Sequence, residues 1–232
     1  MNVAIVVAAG KGTRLGGNQP KQFLELCGAP IVVHTLRQFE RCHEINEIIT
    51  VVPATETAAF SSLAKKFQLS KLSRVVAGGA TRAQSVRQGL NAISSAEIVA
   101  VHDGVRPFVT PDDIARVIEA AERSGAAVLT APVADTIKEV HNDRVTETFP
   151  RAMMRRALTP QCFRYELLKR AYDQLETIEA ERIEVTDDSF LVERLGVEVI
   201  AVEGSARNIK ITNQEDLILA EAILKQMSDA RC

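Results

Sequence analysis

Chemistry concentrates first between Ala8 and Lys21, in the order A-A-G-K-G-T-R-L-G-G-N-Q-P-K, directly after the apolar run Val3-Ala4-Ile5-Val6-Val7. Glycine lets a backbone turn sharply and approach a ligand closely. Successive backbone N–H groups in such a turn form a concavity that binds anions. Lys11, Arg14 and Lys21 add full positive charge, so Gly10, Lys11 and Gly12 read as a cradle for a polyphosphate. The bland alternative is a surface turn after a strand. Two familiar phosphate sites fail on spacing. A P-loop needs G-x-x-x-x-G-K-[ST], and no glycine stands five residues before Gly10. A dinucleotide site needs G-x-G-x-x-G and an acid after the second strand, whereas here the spacing is G-x-G-x-x-x-G and the second run, Ile48–Val52, ends at Pro53.

The remaining candidates follow other apolar runs. Ala77-Gly78-Gly79-Ala80-Thr81 leads to Ser85 and reads either as a second close backbone approach at a helix start or as a plain strand–helix turn. His102-Asp103-Gly104-Val105-Arg106 places a carboxylate where Mg2+ could sit, since Mg2+ usually takes one or two carboxylates plus substrate phosphates. Asp103 could equally cap a turn, and His102, one residue before it on the strand, reads as structural. Asp135-Thr136, Arg151, Thr186-Asp187-Asp188 and Lys210 complete the set, with Thr186 readable as a helix cap. Neither a G-x-S-x-G nor a convincing Cys–His pair supplies a nucleophile. Many cations with one metal-binding acid suit transfer between phosphates, where the protein positions groups and stabilises charge on phosphorus oxygens.

These residues need a scaffold, and the pattern names one. Short apolar runs alternate with amphipathic stretches, the signature of βαβ units. The strands expected are Val3–Ala8, Glu47–Val52, Arg74–Ala77, Ile98–His102, Ala127–Pro132, Glu198–Val202 and Asn208–Ile211. Helices are expected from Pro30 to about Cys42, from Thr81 to about Ile93, after Thr110-Pro111-Asp112-Asp113 and after Asn213-Gln214-Glu215-Asp216. Thr136–Val140 and Val145–Phe149 break the alternation and read as a β-hairpin around His141-Asn142-Asp143-Arg144. A two-stranded ribbon is marginal by itself and needs a surface, either its own sheet or another subunit. The expectation is an α/β fold: a Rossmann-like, mostly parallel sheet flanked by helices, with a protruding β-hairpin arm. The chain reads as one domain over 1–232 with the arm at 134–153.

Bulk composition excludes several classes. A chain of 232 residues that is 46% apolar can bury a substantial core. Net charge is −2, aromatics are 4% and Trp is absent, which argues against nucleic acid as a partner. Cys27, Cys42, Cys162 and Cys232 form no C-x-x-C and fit free thiols in a reducing compartment. Met1-Asn2 has no basic flank and no run approaches the ~20 apolar residues of a membrane span, so a cytoplasmic protein without membrane contact is expected.

Ala8–Arg14 with Pro20-Lys21-Gln22-Phe23 resembles the signature of sugar-nucleotide pyrophosphorylase-like transferases. His102-Asp103 with Arg106-Pro107-Phe108, Leu158–Gln161, Thr186-Asp187-Asp188 and Asn208–Thr212 narrow the resemblance to the 2-C-methyl-D-erythritol 4-phosphate cytidylyltransferases, nearly end to end. The resemblance implies transfer of CMP from CTP to methylerythritol phosphate with Mg2+ and release of pyrophosphate. It implies that the glycine loop holds the triphosphate and that Arg14 and Lys21 stabilise the transition state. Ala8, Ala9, Gly79, Ala80 and Ser85 would surround cytosine and ribose, and Asp103 would lie near metal and substrate. Arg106, Thr186 and Lys210 would contact the acceptor. The family's arm crosses to a second subunit, so Thr136 and Arg151 would act in the partner's site of a homodimer. Ribitol 5-phosphate as acceptor is the neighbouring alternative; a nucleotide-binding regulatory module without turnover is the alternative from another class.

Overall fold

The apolar runs become strands because each is flanked by a helix whose apolar stripe covers it. The structure is a computed structural model and describes residues 1–10 and 20–229. In chain order its elements are β1 (Asn2–Val7), β2 (Glu25–Leu26), β3 (Ala29–Pro30), α1 (Ile31–Arg41), β4 (Glu47–Val52), α2 (Thr57–Lys66), β5 (Leu72–Ala77), α3 (Arg82–Asn91), β6 (Ile98–Asp103), α4 (Pro111–Ser124) and β7 (Ala126–Pro132). There follow β8 (Lys138–His141), β9 (Arg144–Thr148), β10 (Arg155–Arg164), α5 (Tyr165–Asp173), α6 (Leu175–Ala180), α7 (Asp188–Glu193), β11 (Ile200–Glu203) and α8 (Gln214–Asp229).

Seven strands make one sheet in the order β11-β7-β10-β6-β1-β4-β5. β1 runs parallel to β4 and β6, β4 to β5, and β11 to β7, while β10 is antiparallel to both of its neighbours. Side chains alternate across the sheet. Ala4 and Val6 pack with Val32, Leu36 and Phe39 of α1 and Ile114 and Val117 of α4. Val3 and Ile5 pack on the other face with Val86 and Leu90 of α3 and Leu168 and Tyr172 of α5. Helices thus cover both faces. Thr81 and Thr110 cap α3 and α4, their hydroxyls accepting from Gln84 N and Asp113 N at 3.1 and 3.0 Å. No helix among the described residues is long and apolar enough to cross a membrane.

Three expectations change. The strand β10 has no counterpart in the sequence reading. Pro160 falls inside it, and proline is out of place in a central strand except at an irregularity. The pairing with β7 does shift register between Ala157 and Gln161. Asn208–Ile211, expected as a strand, is irregular. Its backbone partners are scattered: Asn208 N donates to Ser205 O, Ile211 N to Val105 O, and Asn208 O accepts from Arg106 Nη1. Thr186 does not cap α7; the Asp187 carboxylate does, accepting from Phe190 N at 3.0 Å.

The hairpin forms as β8 and β9, with Asn142 and Asp143 both at positive φ (49° and 61°) in the two-residue turn. Every residue of both strands is exposed, including Val140 and Val145. The ribbon therefore does not fold back onto its own sheet.

Candidate active site

Strand register places the site. Val7 at the end of β1 pairs with Asp103 on one side and Val51 on the other, and Val52 pairs with Ala77. The loops after β1, β5 and β6 therefore leave the same edge side by side, at the carboxyl ends where open α/β sheets bind ligands. A cavity of about 430 Å³ opens there. Ala8, Ala9, Gly10, Lys21, Gly79, Ala80, Ser85, Asp103 and Lys210 all line it, so nine residues chosen from sequence converge in space.

The wall formed by Ala8, Ala9, Gly78 and Gly79 is close-packed backbone. A Cβ on Gly78 would stand 2.3 Å from Ala9 Cβ and 2.9 Å from Ser85 Oγ, so only glycine lets the two loops touch. Ser85 is buried; its hydroxyl accepts from Gly79 N at 3.1 Å and donates to Thr81 O at 2.9 Å, which fixes the turn onto α3. Gln22 is also buried and donates to Ala8 O at 2.6 Å and Gly10 O at 3.0 Å. It pins the segment carrying Lys21 to the end of β1.

The opposite wall is made of charge. Asp103 Oδ1 accepts from Arg82 Nε at 3.0 Å, and its Oδ2 from Lys210 Nζ at 3.0 Å and Arg106 Nε at 3.3 Å. Burial alone would push this carboxyl up, but Arg82, Lys210 and Arg106 outweigh it and hold it well below the usual carboxylate range. Arg82 reaches with Nη2 to Asp188 Oδ2 at 2.9 Å. Burial disfavours the Arg82 charge, yet Asp188 and Asp103 more than compensate, and it stays protonated.

Behind Asp103 the backbone is locked by a neutral imidazole. His102 is fully buried, and desolvation lowers its pKa from 6.5 to about 3. Its Nε2 lies 3.1 Å from Arg106 O, which can only accept, so Nε2 carries the hydrogen. Nδ1 then accepts from the Thr159 hydroxyl at 2.9 Å, and Thr159 Oγ1 accepts from Asp103 N at 3.2 Å. His102 is structural, as its strand position implies, and it fixes the Asp103–Arg106 turn.

A second cavity, about 250 Å³, lies on the far side of the same cluster and is lined by Arg106, Thr159, Gln161 and Thr186. Arg82, Asp103 and Lys210 line both cavities. Thr136 and Arg151 are exposed and border neither; Arg151 Nη1 donates to Ala134 O at 2.8 Å at the base of the arm. Lys11, Gly12 and Arg14 lie outside the described residues. The expected Mg2+ ligand, Asp103, has both oxygens taken by cations, and the described residues hold no cluster of three or more His, Cys, Asp or Glu fit for a metal. These donors do not fit a protein-held metal.

Sequence reasoning assigned no role to Arg82, nor to Gln22, Gln161 and Asp188, although the last three fall inside the quoted motifs. One signal pointed to Arg82: a cation in the first turn of a helix opposes the helix dipole, so a residue there has another reason to be present.

A family profile described as IspD, 2-C-methyl-D-erythritol 4-phosphate cytidylyltransferase, matches residues 2–226. Enzymes of that name from Bacillus velezensis and Syntrophus aciditrophicus are each 45% identical over 227 residues, covering 97% of this chain and 97% and 96% of theirs. The crystal structure of 4-diphosphocytidyl-2C-methyl-D-erythritol synthase from Anaerococcus prevotii superposes with a TM-score of 0.84 at 33% identity, over 97% of this chain and 96% of that one. The 2-C-methyl-D-erythritol 4-phosphate cytidylyltransferase of Thermus thermophilus gives a TM-score of 0.77 at 35% identity, over 95% and 98%.

Proposed function

The chain belongs to the 2-C-methyl-D-erythritol 4-phosphate cytidylyltransferase family, and from that premise we propose that it transfers CMP from CTP to 2-C-methyl-D-erythritol 4-phosphate in non-mevalonate isoprenoid synthesis. A phosphate oxygen of the acceptor attacks the α-phosphorus of CTP. The new P–O bond completes a diphosphate, and the bond to the β-phosphate oxygen breaks, its electrons leaving with pyrophosphate. A phosphate monoester is already ionised near neutral pH, so no general base is required.

One observation carries this reading: Arg82, Asp103 and Lys210 form the wall common to two cavities. A nucleotide in the larger and a phosphorylated polyol in the smaller would meet across it. Ala8, Ala9, Gly10, Gly79, Ala80 and Ser85 offer the base and ribose a tight, mostly backbone surface. Lys21 lies on the triphosphate side; Arg106, Lys210 and Thr186 face the acceptor. Cations held in a low-dielectric site stabilise charge developing on the phosphorus oxygens without reorganising at the moment of reaction. Lys11, Gly12 and Arg14 are assigned to the triphosphate from their motif alone. Mg2+ carried on the triphosphate would neutralise part of its charge.

The arm, 134–153, is assigned to a homodimer contact within a single nucleotidyltransferase domain of a cytoplasmic enzyme. Its exposed Val140 and Val145 need cover, and Thr136 and Arg151 stand outside their own chain's cavities. Sedimentation is expected to give a dimer at micromolar concentration; a monomer would return Arg151 to a structural role.

The reaction is tested by phosphorus NMR of purified protein with CTP, Mg2+ and methylerythritol 4-phosphate. Loss of the monoester signal with growth of a diphosphate diester and free pyrophosphate supports the reading. CTP that stays intact would leave only a nucleotide-binding role.

A further inference from the structure

We propose that Asp188 and Tyr172 are positioning residues: buried away from both cavities, they anchor Arg82 so that Asp103 is held in one orientation toward the acceptor. The inference rests on the cytidylyl-transfer reading and gives a role to Asp188, which lies in the Thr186-Asp187-Asp188 motif without one, and to Tyr172, which lies in no motif.

Asp188 is fully buried and Tyr172 nearly so, and neither lines a cavity of the site. The Asp188 carboxylate takes Arg82 Nη2 on one oxygen, at 2.9 Å, and the Tyr172 hydroxyl on the other. Its own backbone is fixed as well. Asp188 N and Ser189 N both donate to Gln161 Oε1 at 2.9 Å, and Gln161 Nε2 donates to Asp187 Oδ2 at 2.8 Å. Gln161 lies on β10, an interior strand paired with β7 and β6 on its two sides, so the anchor is tied to the sheet.

A guanidinium is a planar fork. With Nη2 fixed on Asp188, Nε has a single direction left, and that direction meets Asp103 Oδ1. Without the anchor, Arg82 could close fully onto Asp103 or turn toward the triphosphate, because it lines both cavities. Such a buried ion pair contributes little net stability after desolvation, so a role in specifying geometry accounts for it better than a role in holding the fold.

The test varies CTP and acceptor separately for wild type, Tyr172→Phe, Asp188→Asn, Arg82→Lys and the Asp188→Asn/Arg82→Lys double variant, with thermal melts alongside. Asp188→Asn is expected to lower kcat/KM for the acceptor by about 10–100-fold, within the usual range of coupling between sites, with the KM for CTP nearly unchanged. Tyr172→Phe moves the same quantity in the same direction by less, and keeps the test open if Asp188→Asn does not fold. In the Arg82→Lys background the effect of Asp188→Asn nearly vanishes, because the two act as one unit. Equal losses toward both substrates, or a lower melting point with unchanged kinetics, would overturn the proposal. Wild-type protein that fails to turn over CTP would sink the transferase reading and this inference with it, whereas an active wild type with unaffected variants removes only the inference.

Discussion

The two cavities that meet at Asp103 are built from opposite materials. The larger is walled by Ala8, Ala9, Gly79 and Ala80 and by loops so close that Gly78 has no room for a Cβ. The smaller is walled by Arg82, Asp103, Arg106 and Lys210, ionised side chains that already satisfy one another. A wall of backbone selects by shape and is damaged by adding atoms. A wall of paired charge selects by charge and is damaged by removing one member. The larger cavity is thus fixed by packing and the smaller by an electrostatic balance, which suits the proposed nucleotide and phosphorylated acceptor respectively.

The largest effect should come from unbalancing the charged wall. Asp103→Asn keeps the size and takes the counter-charge from Arg106 and Lys210, while Arg82 keeps only Asp188, which should cost about 3–5 kcal/mol in a urea unfolding curve. Unchanged stability would mean that the cluster is less tightly coupled than its 3.0 Å contacts imply.

Lys21 is the cation among the described residues on the packed side of the larger cavity. Lys21→Ala should slow turnover about 10²–10³-fold while CTP binding, read by calorimetry, is partly kept, because the charge matters most in the transition state. Equal loss of binding and turnover would make Lys21 a simple binding group. Gly78→Ala should act on shape alone. Its Cβ must displace Ala9 or Ser85, at about 1–3 kcal/mol of stability, and raise the KM for CTP with the acceptor's KM unmoved.

The smallest effect concerns the support behind the charged wall. The unfolded chain protonates His102 near its ordinary 6.5, whereas the folded chain resists until about 3. Between these values the unfolded state binds the extra proton, so stability falls as pH falls. The loss is about 1 kcal/mol between pH 6.5 and about 5.5, and His102→Gln should flatten that slope. Asp103, held well below its ordinary 3.8, contributes stability that persists above that value and is lost only at lower pH, so the two contributions separate along the pH axis.

The same contrast sets what was legible in the sequence. The packed wall follows from local signals: glycines after apolar runs, a cap at Thr81, a serine one turn on. Asp103, Arg106 and Lys210 were found as charges at strand ends or beside apolar residues. Their mutual pairing was not, because it is a property of three-dimensional contacts. Arg82 and Asp188 are 106 positions apart and show no pattern that joins them. β10 was hidden by Pro160, which argues locally against a central strand, and the Ile209-Lys210-Ile211 alternation imitated a strand where the backbone bonds to scattered partners. Gln22 sat inside a recognised motif, but its two carbonyl partners appear only once β1 and the Lys21 segment are brought together. The roles proposed for Thr136 and Arg151 invoke a second chain, beyond what one chain's pattern encodes.

Pyrophosphate release is the most direct test of the central claim. Purified protein with CTP and Mg2+ is given methylerythritol 4-phosphate in one reaction and ribitol 5-phosphate in a parallel one. The account predicts stoichiometric release with the first acceptor and little with the second. Release with ribitol 5-phosphate alone, or with neither, would contradict it.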